Sequence, residues 1–182
     1  MIHLGDLVHP IPALSNHESA VKTASGIFSE LETKFFALPG NHDIGDKPNA
    51  SLQAPVVDEK SHQIYTKYWG PMYQAFTSMN CLFTCIDTPL LNSGLMREKE
   101  HQIWLENELR VAKESGLRIF VFMHYPLFIC EPNEAPHYDN IDEPARTWLL
   151  ELFKQYSVEG VFSGHVHNVF VGVHEKTKYY IL

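Results

Sequence analysis

Short apolar runs that end in polar clusters alternate along this chain with stretches whose apolar residues recur at helical spacing, a pattern of strands and helices in turn. The chain opens on Met1-Ile2-His3-Leu4, a strand running straight into Gly5-Asp6. A loop with Pro10 and Pro12 follows, and Ser15 with Glu18 three residues later makes a capping-box signature. It predicts a helix over 17–31 with Val21, Ala24, Ile27, Phe28 and Leu31 on one face. Strand 34–38 leads into Pro39-Gly40-Asn41-His42-Asp43. Polar residues with Gly45, Pro48 and Pro55 make 44–61 a surface loop, and a helix over 62–69 ends at Gly70-Pro71.

Strands 73–77 and 81–87 then read as a hairpin through 78–80. A helix over 98–114 sets Ile103, Trp104, Leu105, Leu109 and Val111 on its apolar side, and Gly116 stops it. The uninterrupted apolar run 117–123 predicts a strand buried on both faces, and His124-Tyr125-Pro126 terminates it. Loop 129–143 is long enough to suggest a functional or lid role. A helix over 144–156 starts with proline at a permitted first-turn position. Strand 158–162, the turn Ser163-Gly164-His165-Val166-His167, and strands 169–173 and 178–182 complete the chain. This is an α/β pattern with its polar clusters at strand C-termini, the edge where ligand sites of open α/β sheets gather. The hairpin and tail strands add antiparallel pairs, so a mixed sheet or a two-sheet sandwich with outer helices is expected.

Composition narrows the reading. At 182 residues, with 45% hydrophobic and 20% charged positions, the chain is expected to form one globular domain over 1–182. No apolar run approaches the ~20 residues of a membrane span. The net charge of −8 argues against nucleic acid as a bulk electrostatic partner. A small anionic substrate held through metal remains compatible with it. Cys81 and Cys85 fall roughly 13 Å apart along one strand, too far for a disulfide, and read as free thiols. A reducing cytoplasm is the expected compartment.

Asp6, Asn41, His42, Asp43, His124, His165 and His167 all fall at or just after strand ends. Carboxylate, amide oxygen and neutral imidazole form a mixed O/N donor set suited to Mn, Fe or Zn. None of the clusters holds a cysteine, which argues against structural zinc. Two imidazoles one residue apart can reach neighbouring ions from one piece of backbone, and Gly164 is expected to supply the tight turn. The remaining candidates, His3, His9, His62, His101, His137 and His174, read as surface or core histidines. Trp69, Trp104 and Trp148 read as core residues, and Asp139–Glu143 as a solvated loop.

The ordered set Gly-Asp, Gly-Asn-His-Asp, His, Gly-His-x-His resembles the calcineurin-like metallophosphoesterase superfamily over nearly the whole chain. The resemblance implies an αββα sandwich and a phosphoester hydrolase with two divalent or trivalent metal ions and a metal-bound water or hydroxide as nucleophile. It implies Asp6 as the bridging carboxylate, with Asn41, His124 and His165 completing one metal site and His167 serving the other. It makes His42 the general acid or substrate-positioning imidazole, oriented by Asp43. The family's Asp-x-His motif has no counterpart after Met1. The expectation is a chain truncated at its N-terminus, with C-terminal truncation left open, one ion held by this chain, and a marginal isolated fragment.

Looser similarity, in Ile44-Gly45, Trp69-Gly70, Pro126-Leu127-Phe128 and Phe162-Ser163, points to the single-domain phosphatase and purple-acid-phosphatase-like branch. The expected substrate is a small phosphoester or a phosphoprotein, acted on as a phosphomonoester. A cyclic-nucleotide or other phosphodiesterase, and an inactive metal-binding fragment, are the alternatives. Arg97, Arg110, Arg118 and Arg146 adjoin no motif, and because dedicated serine/threonine phosphatases of the superfamily clamp phosphate with arginines, this weighs against that branch. Loops 46–61 and 129–143 are expected to form opposite walls of the substrate cleft.

Overall fold

Two sheets of unequal width face each other. The computed structural model describes residues 1–48 and 55–182. The smaller sheet pairs β1 (Ile2–His3) with β2 (Phe36–Ala37) in parallel. The larger joins β3 (Gln74–Ser78), β4 (Cys81–Cys85), β5 (Arg118–Met123), β6 (Gly160–Ser163), β7 (Phe170–His174) and β8 (Thr177–Ile181) in the order β3-β4-β5-β6-β8-β7. Its outer pairs β3–β4 and β8–β7 are antiparallel and its inner pairs are parallel. The mixed α/β class expected from the pattern is the one observed.

Helices cover both outer faces. On one side α4 (Met96–Glu114) and α5 (Ala145–Tyr156) bury Leu105, Leu109, Leu149 and Phe153 against Leu82, Ile119, Val121 and Met123 of the large sheet. On the other, α1 (His17–Phe28) and α3 (Glu59–Trp69) close over a smaller core of Leu7, Ala37, Ile44, Val57, Tyr65 and Met72. Phe36, Leu38 and Cys85 pack between the sheets. These are the four layers of an αββα arrangement, with helices on the outer face of each sheet.

Several local expectations need correction. β5 is buried on one face only: Phe120 and Phe122 are half-buried on the other. There the rings of Phe76, Phe83, Phe122, Phe162 and Tyr180 form a ladder at centroid spacings of 5.1, 6.2, 5.0 and 4.8 Å. An unbroken apolar run thus reports aromatic stacking between strands as well as double-sided burial. Helix α1 ends at Phe28, three residues early, and its N-cap is Asn16 without a side-chain cap, so the Ser15–Glu18 box does not form. Helix α3 starts earlier, at Glu59, because Asp58 caps it through the Ser61 amide at 2.7 Å. On α4 the buried stripe is His101, Leu105, Leu109 and Ala112, whereas Ile103 and Val111 are exposed. The i, i+4 row meets the sheet, and the two branched residues lie off it. Cys81 and Cys85 are buried free thiols, and Cys130 is exposed. Among the described residues no helix is long and apolar enough to cross a membrane.

One consequence of this packing is an acid-sensitive core. His101 is fully buried beside Tyr73, its ring 4.7 Å from the phenol, and neither nitrogen meets a protein partner among the described residues. Burial pushes its pKa from 6.5 down to about 4, against the opposing pull of Asp87. Asp87 in turn faces the equally buried His62 at 3.4 Å. Between those two pKa values the unfolded chain takes up a proton at His101 that the folded chain refuses. Stability is therefore full above about pH 6.5 and falls as pH drops towards 4, by about 3 kcal/mol for that one group. Urea melts of His101→Leu are expected to show a flatter slope over this window; an unchanged slope would assign the acid sensitivity elsewhere.

Candidate metal centre

The site assembles where four strand ends meet. After β1 the chain passes through Leu4 and Gly5 to Asp6, which adopts a left-handed φ of 56°. After β2 a single helical turn, α2 (Asn41–Ile44), begins at Gly40. After β5 comes His124, and after β6 the turn carrying His165 and His167. His165 and His167 also have left-handed φ, 70° and 56°, a conformation that costs a non-glycine residue of order 1–3 kcal/mol and concentrates at functional sites. The tight turn is therefore made by the histidines themselves. Gly164 instead permits close approach: a Cβ there would lie 3.2 Å from the Leu4 carbonyl.

Four acceptor atoms converge. His124 Nδ1 donates to the Leu4 carbonyl at 2.7 Å, which fixes the tautomer and leaves Nε2 with only a lone pair. That lone pair faces Asn41 Oδ1 at 2.9 Å, His165 Nδ1 at 3.2 Å and Asp6 Oδ1 at 3.4 Å. Asp6, His124 and His165 all offer ligand atoms within 4.8 Å of one another. Burial lowers the pKa of His124, and burial together with the His124 ring takes His165 down to about 2. Both imidazoles are then neutral at physiological pH, the form that binds metal. An excess of lone pairs over protons at such spacings is unfavourable alone and satisfied by a cation. The donor set fits a divalent ion.

His167, which the resemblance assigns to the other metal site, lies outside this cluster. It is exposed, although close enough to His165 to influence it electrostatically. His42 lies half-buried, with its ring stacked 5.3 Å from that of His9 and its Nδ1 donating to the His9 carbonyl. Its amide donates to Asp6 Oδ1 at 3.0 Å. Asp43 does not orient His42 as expected. Its two carboxylate oxygens accept instead from the Leu7 amide at 2.9 Å and the Gly40 amide at 2.8 Å. It therefore clamps the Gly-Asp turn to the Gly-Asn-His-Asp turn. Burial raises its pKa to about 8 even with these donors.

Residues outside the motifs complete the surroundings. Tyr125, next to His124, stands edge-on to the His165 ring at 4.3 Å and donates its hydroxyl to Asp46. Lys47 is buried and ties its ammonium to the His137 carbonyl at 2.7 Å, to the Asn140 carbonyl, and to Asp142 at 3.2 Å. Loops 46–61 and 129–143 are thus bonded to each other at Lys47; residues 49–54 of the first lie outside the described residues. Asp139–Glu143 is no plain solvated loop either. Asp139 Oδ1 reaches 3.5 Å from His165 Nε2, and Tyr138 accepts a hydrogen bond from Asn41 Nδ2 at 3.1 Å. Polar residues crowding the chain just after Asp43, and the unusual length of loop 129–143, were the available signals. All four arginines are engaged elsewhere, Arg97, Arg110 and Arg118 with surface glutamates and Arg146 with Glu143 and the Glu134 carbonyl.

Residues 1–169 match the family model of the calcineurin-like phosphoesterases. The chain belongs to that family. It is 31% identical over 177 residues to the serine/threonine-protein phosphatase CPPED1 of Danio rerio, covering 94% of this chain and 54% of that protein. The Homo sapiens protein of the same name is 26% identical over 171 residues, 90% of this chain and 51% of its own length. The chain spans about half the length of the curated relatives it matches. Among solved structures, a dimetal phosphatase from Danio rerio matches 99% of this chain and 70% of its own, with a TM-score of 0.66 at 14% identity. Purple acid phosphatase PPD1 from yellow lupin matches 99% and 36%, with a TM-score of 0.64 at 16% identity. At these identities the structural likeness speaks for the fold alone. The converging lone pairs of Asp6, Asn41, His124 and His165 are a donor set that a cation would satisfy.

Proposed function

We propose that this protein is a metal-dependent phosphoester hydrolase acting on phosphomonoesters, carried by a small molecule or by a phosphoprotein. The observation that carries the reading is the convergence of Asp6 Oδ1, Asn41 Oδ1, His124 Nε2 and His165 Nδ1 on one point. A divalent ion such as Mn, Fe or Zn bound there would activate water and offset the charge that builds on the phosphoryl oxygens. Asp6 holds its carboxylate in place through the His42 amide, so the anionic ligand is preset. His42 has Nδ1 committed to the His9 carbonyl, which leaves Nε2 for the substrate. As the water oxygen bonds to phosphorus and the ester P–O bond breaks, His42 Nε2 is placed to pass a proton to the departing oxygen, and the proton given up by the attacking water restores it. With every arginine engaged elsewhere, a metal bound at Asp6, Asn41, His124 and His165 together with His42 would hold the phosphate.

The test is a titration of chelator-stripped protein with Mn, following hydrolysis of an aryl phosphate and of the corresponding bis-aryl ester. Metal-dependent turnover of the monoester, exceeding that of the diester, is the expected result. A faster diester reaction would move the reading to a phosphodiesterase. The exposed position of His167, apart from the other ligands, favours one further reading: a protein that holds a single ion without turnover. One tightly bound ion per chain with neither ester hydrolysed would establish that reading instead.

A further inference from the structure

Asn41 is nearly fully buried, and its amide faces two ways: Oδ1 towards the ligand cluster and Nδ2 towards the hydroxyl of Tyr138 at 3.1 Å. An amide has nearly the same shape when turned over, but the turned form would aim two N–H groups at a cation instead of a lone pair. With Oδ1 inward, the buried Nδ2 requires an acceptor, and Tyr138 Oη supplies one. Tyr138 belongs to loop 129–143 and lies 97 residues from Asn41 in sequence, so nothing local to the Gly-Asn-His-Asp turn provides this contact. Its ring also packs against His165 at 4.8 Å.

The loop that presents Tyr138 is braced from within. The Glu134 carboxylate accepts from the amides of Ile129 and Cys130 and from Asn140 Nδ2, at 2.7–2.9 Å. Asn140 Oδ1 accepts from the His137 amide, and Lys47 bonds to the carbonyls of His137 and Asn140 on either side of Tyr138. The phenol is therefore held from both flanks while about a third of it remains open to solvent.

We propose that Tyr138 is a positioning residue, which locks the Asn41 amide with its oxygen turned to the metal through the Asn41 Nδ2–Tyr138 Oη hydrogen bond. The inference rests on the metal-centre reading above and adds a residue that the motifs do not contain. Loss of a partner that orients a metal ligand typically weakens metal affinity by about 10–100-fold.

Calorimetric Mn binding by the intact protein, its Tyr138→Phe and Asn41→Ala variants and the double variant tests this, with no need for turnover. Tyr138→Phe keeps the ring against His165 and removes only the hydroxyl. It is expected to weaken Mn binding by about 10-fold or more, with the metal-free melting temperature unchanged. In the Asn41→Ala background the same change is expected to have no further effect. Wild-type affinity in Tyr138→Phe would overturn the proposal. So would an equal loss in both backgrounds, which would mean that the phenol acts through His165 or the loop. Absence of Mn binding by the wild-type protein would overturn the metal-centre reading itself, and this inference with it.

Discussion

His124→Ala is expected to abolish detectable Mn binding and to reduce phosphomonoester hydrolysis by at least about 100-fold. That factor is the upper end of what losing a mere partner of a metal ligand does, and His124 is the central ligand of the cluster. The other three acceptor atoms lie 2.9, 3.2 and 3.4 Å from its Nε2, so its removal leaves Asn41, His165 and Asp6 arranged around a void. The substitution also frees the Leu4 carbonyl, to which His124 Nδ1 donates. A buried acceptor left without a partner costs about 1–3 kcal/mol. Metal analysis, hydrolysis and thermal melting should be measured together. His174→Ala, on edge strand β7, is the control expected to bind and turn over normally. Retained Mn affinity in His124→Ala would show that the converging atoms are not the metal site.

Gly40→Ala is the second large effect, and it acts through space rather than charge. A Cβ at this position would overlap the backbone nitrogen and the carboxylate of Asp6, and would lie 2.8 Å from His124 Cε1. The nitrogen is backbone, the carboxylate is held by the His42 amide and the imidazole by the Leu4 carbonyl, so none yields freely. The Gly-Asp and Gly-Asn-His-Asp turns must separate, which also strains the Asp43 bonds to the Leu7 and Gly40 amides. Overpacking of this kind costs about 1–3 kcal/mol or more, and the displaced Asp6 and His124 should lower Mn affinity as well. The contrast is Gly26→Ala in α1, where an added Cβ meets nothing within 4 Å. There alanine is expected to stabilise by about 0.5–1 kcal/mol, because glycine is a poor helix residue. Opposite shifts in melting temperature for the two glycines would separate the crowded turn from the open helix. A Gly40→Ala protein that melts and binds Mn like the wild type would show that the two turns are free to move apart.

The order of elements was largely legible because the signals are local. Alternation, helical spacing, and glycine or proline at the breaks depend on neighbours within a few residues, and they placed the strand ends that carry Asp6, Asn41, His124 and His165. The errors share a cause. The apolar run now seen as β5 read as doubly buried, yet its second face holds half-exposed phenylalanines stacked across strands. On α4, Ile103 and Val111 counted as core because they are apolar, yet the sheet meets the row through His101, Leu105, Leu109 and Ala112. Periodicity names a face but not what lies opposite it.

The division within the site is the same. The sequence by itself determined the chemistry: which oxygen and nitrogen donors end which strands, and that no thiolate joins them. Those are properties of residue type and local order. The resemblance of the ordered motifs already grouped Asp6, Asn41, His124 and His165, and only the tertiary structure decided how their atoms are held. It turned Asp6 and His165 inward through left-handed backbone, left His167 outside, and gave Asp43 two backbone amides to clamp instead of His42. It also set Tyr138 on Asn41 across 97 residues. Hydrogen bonds over such separations depend on how whole layers pack, and no window along the chain contains both partners.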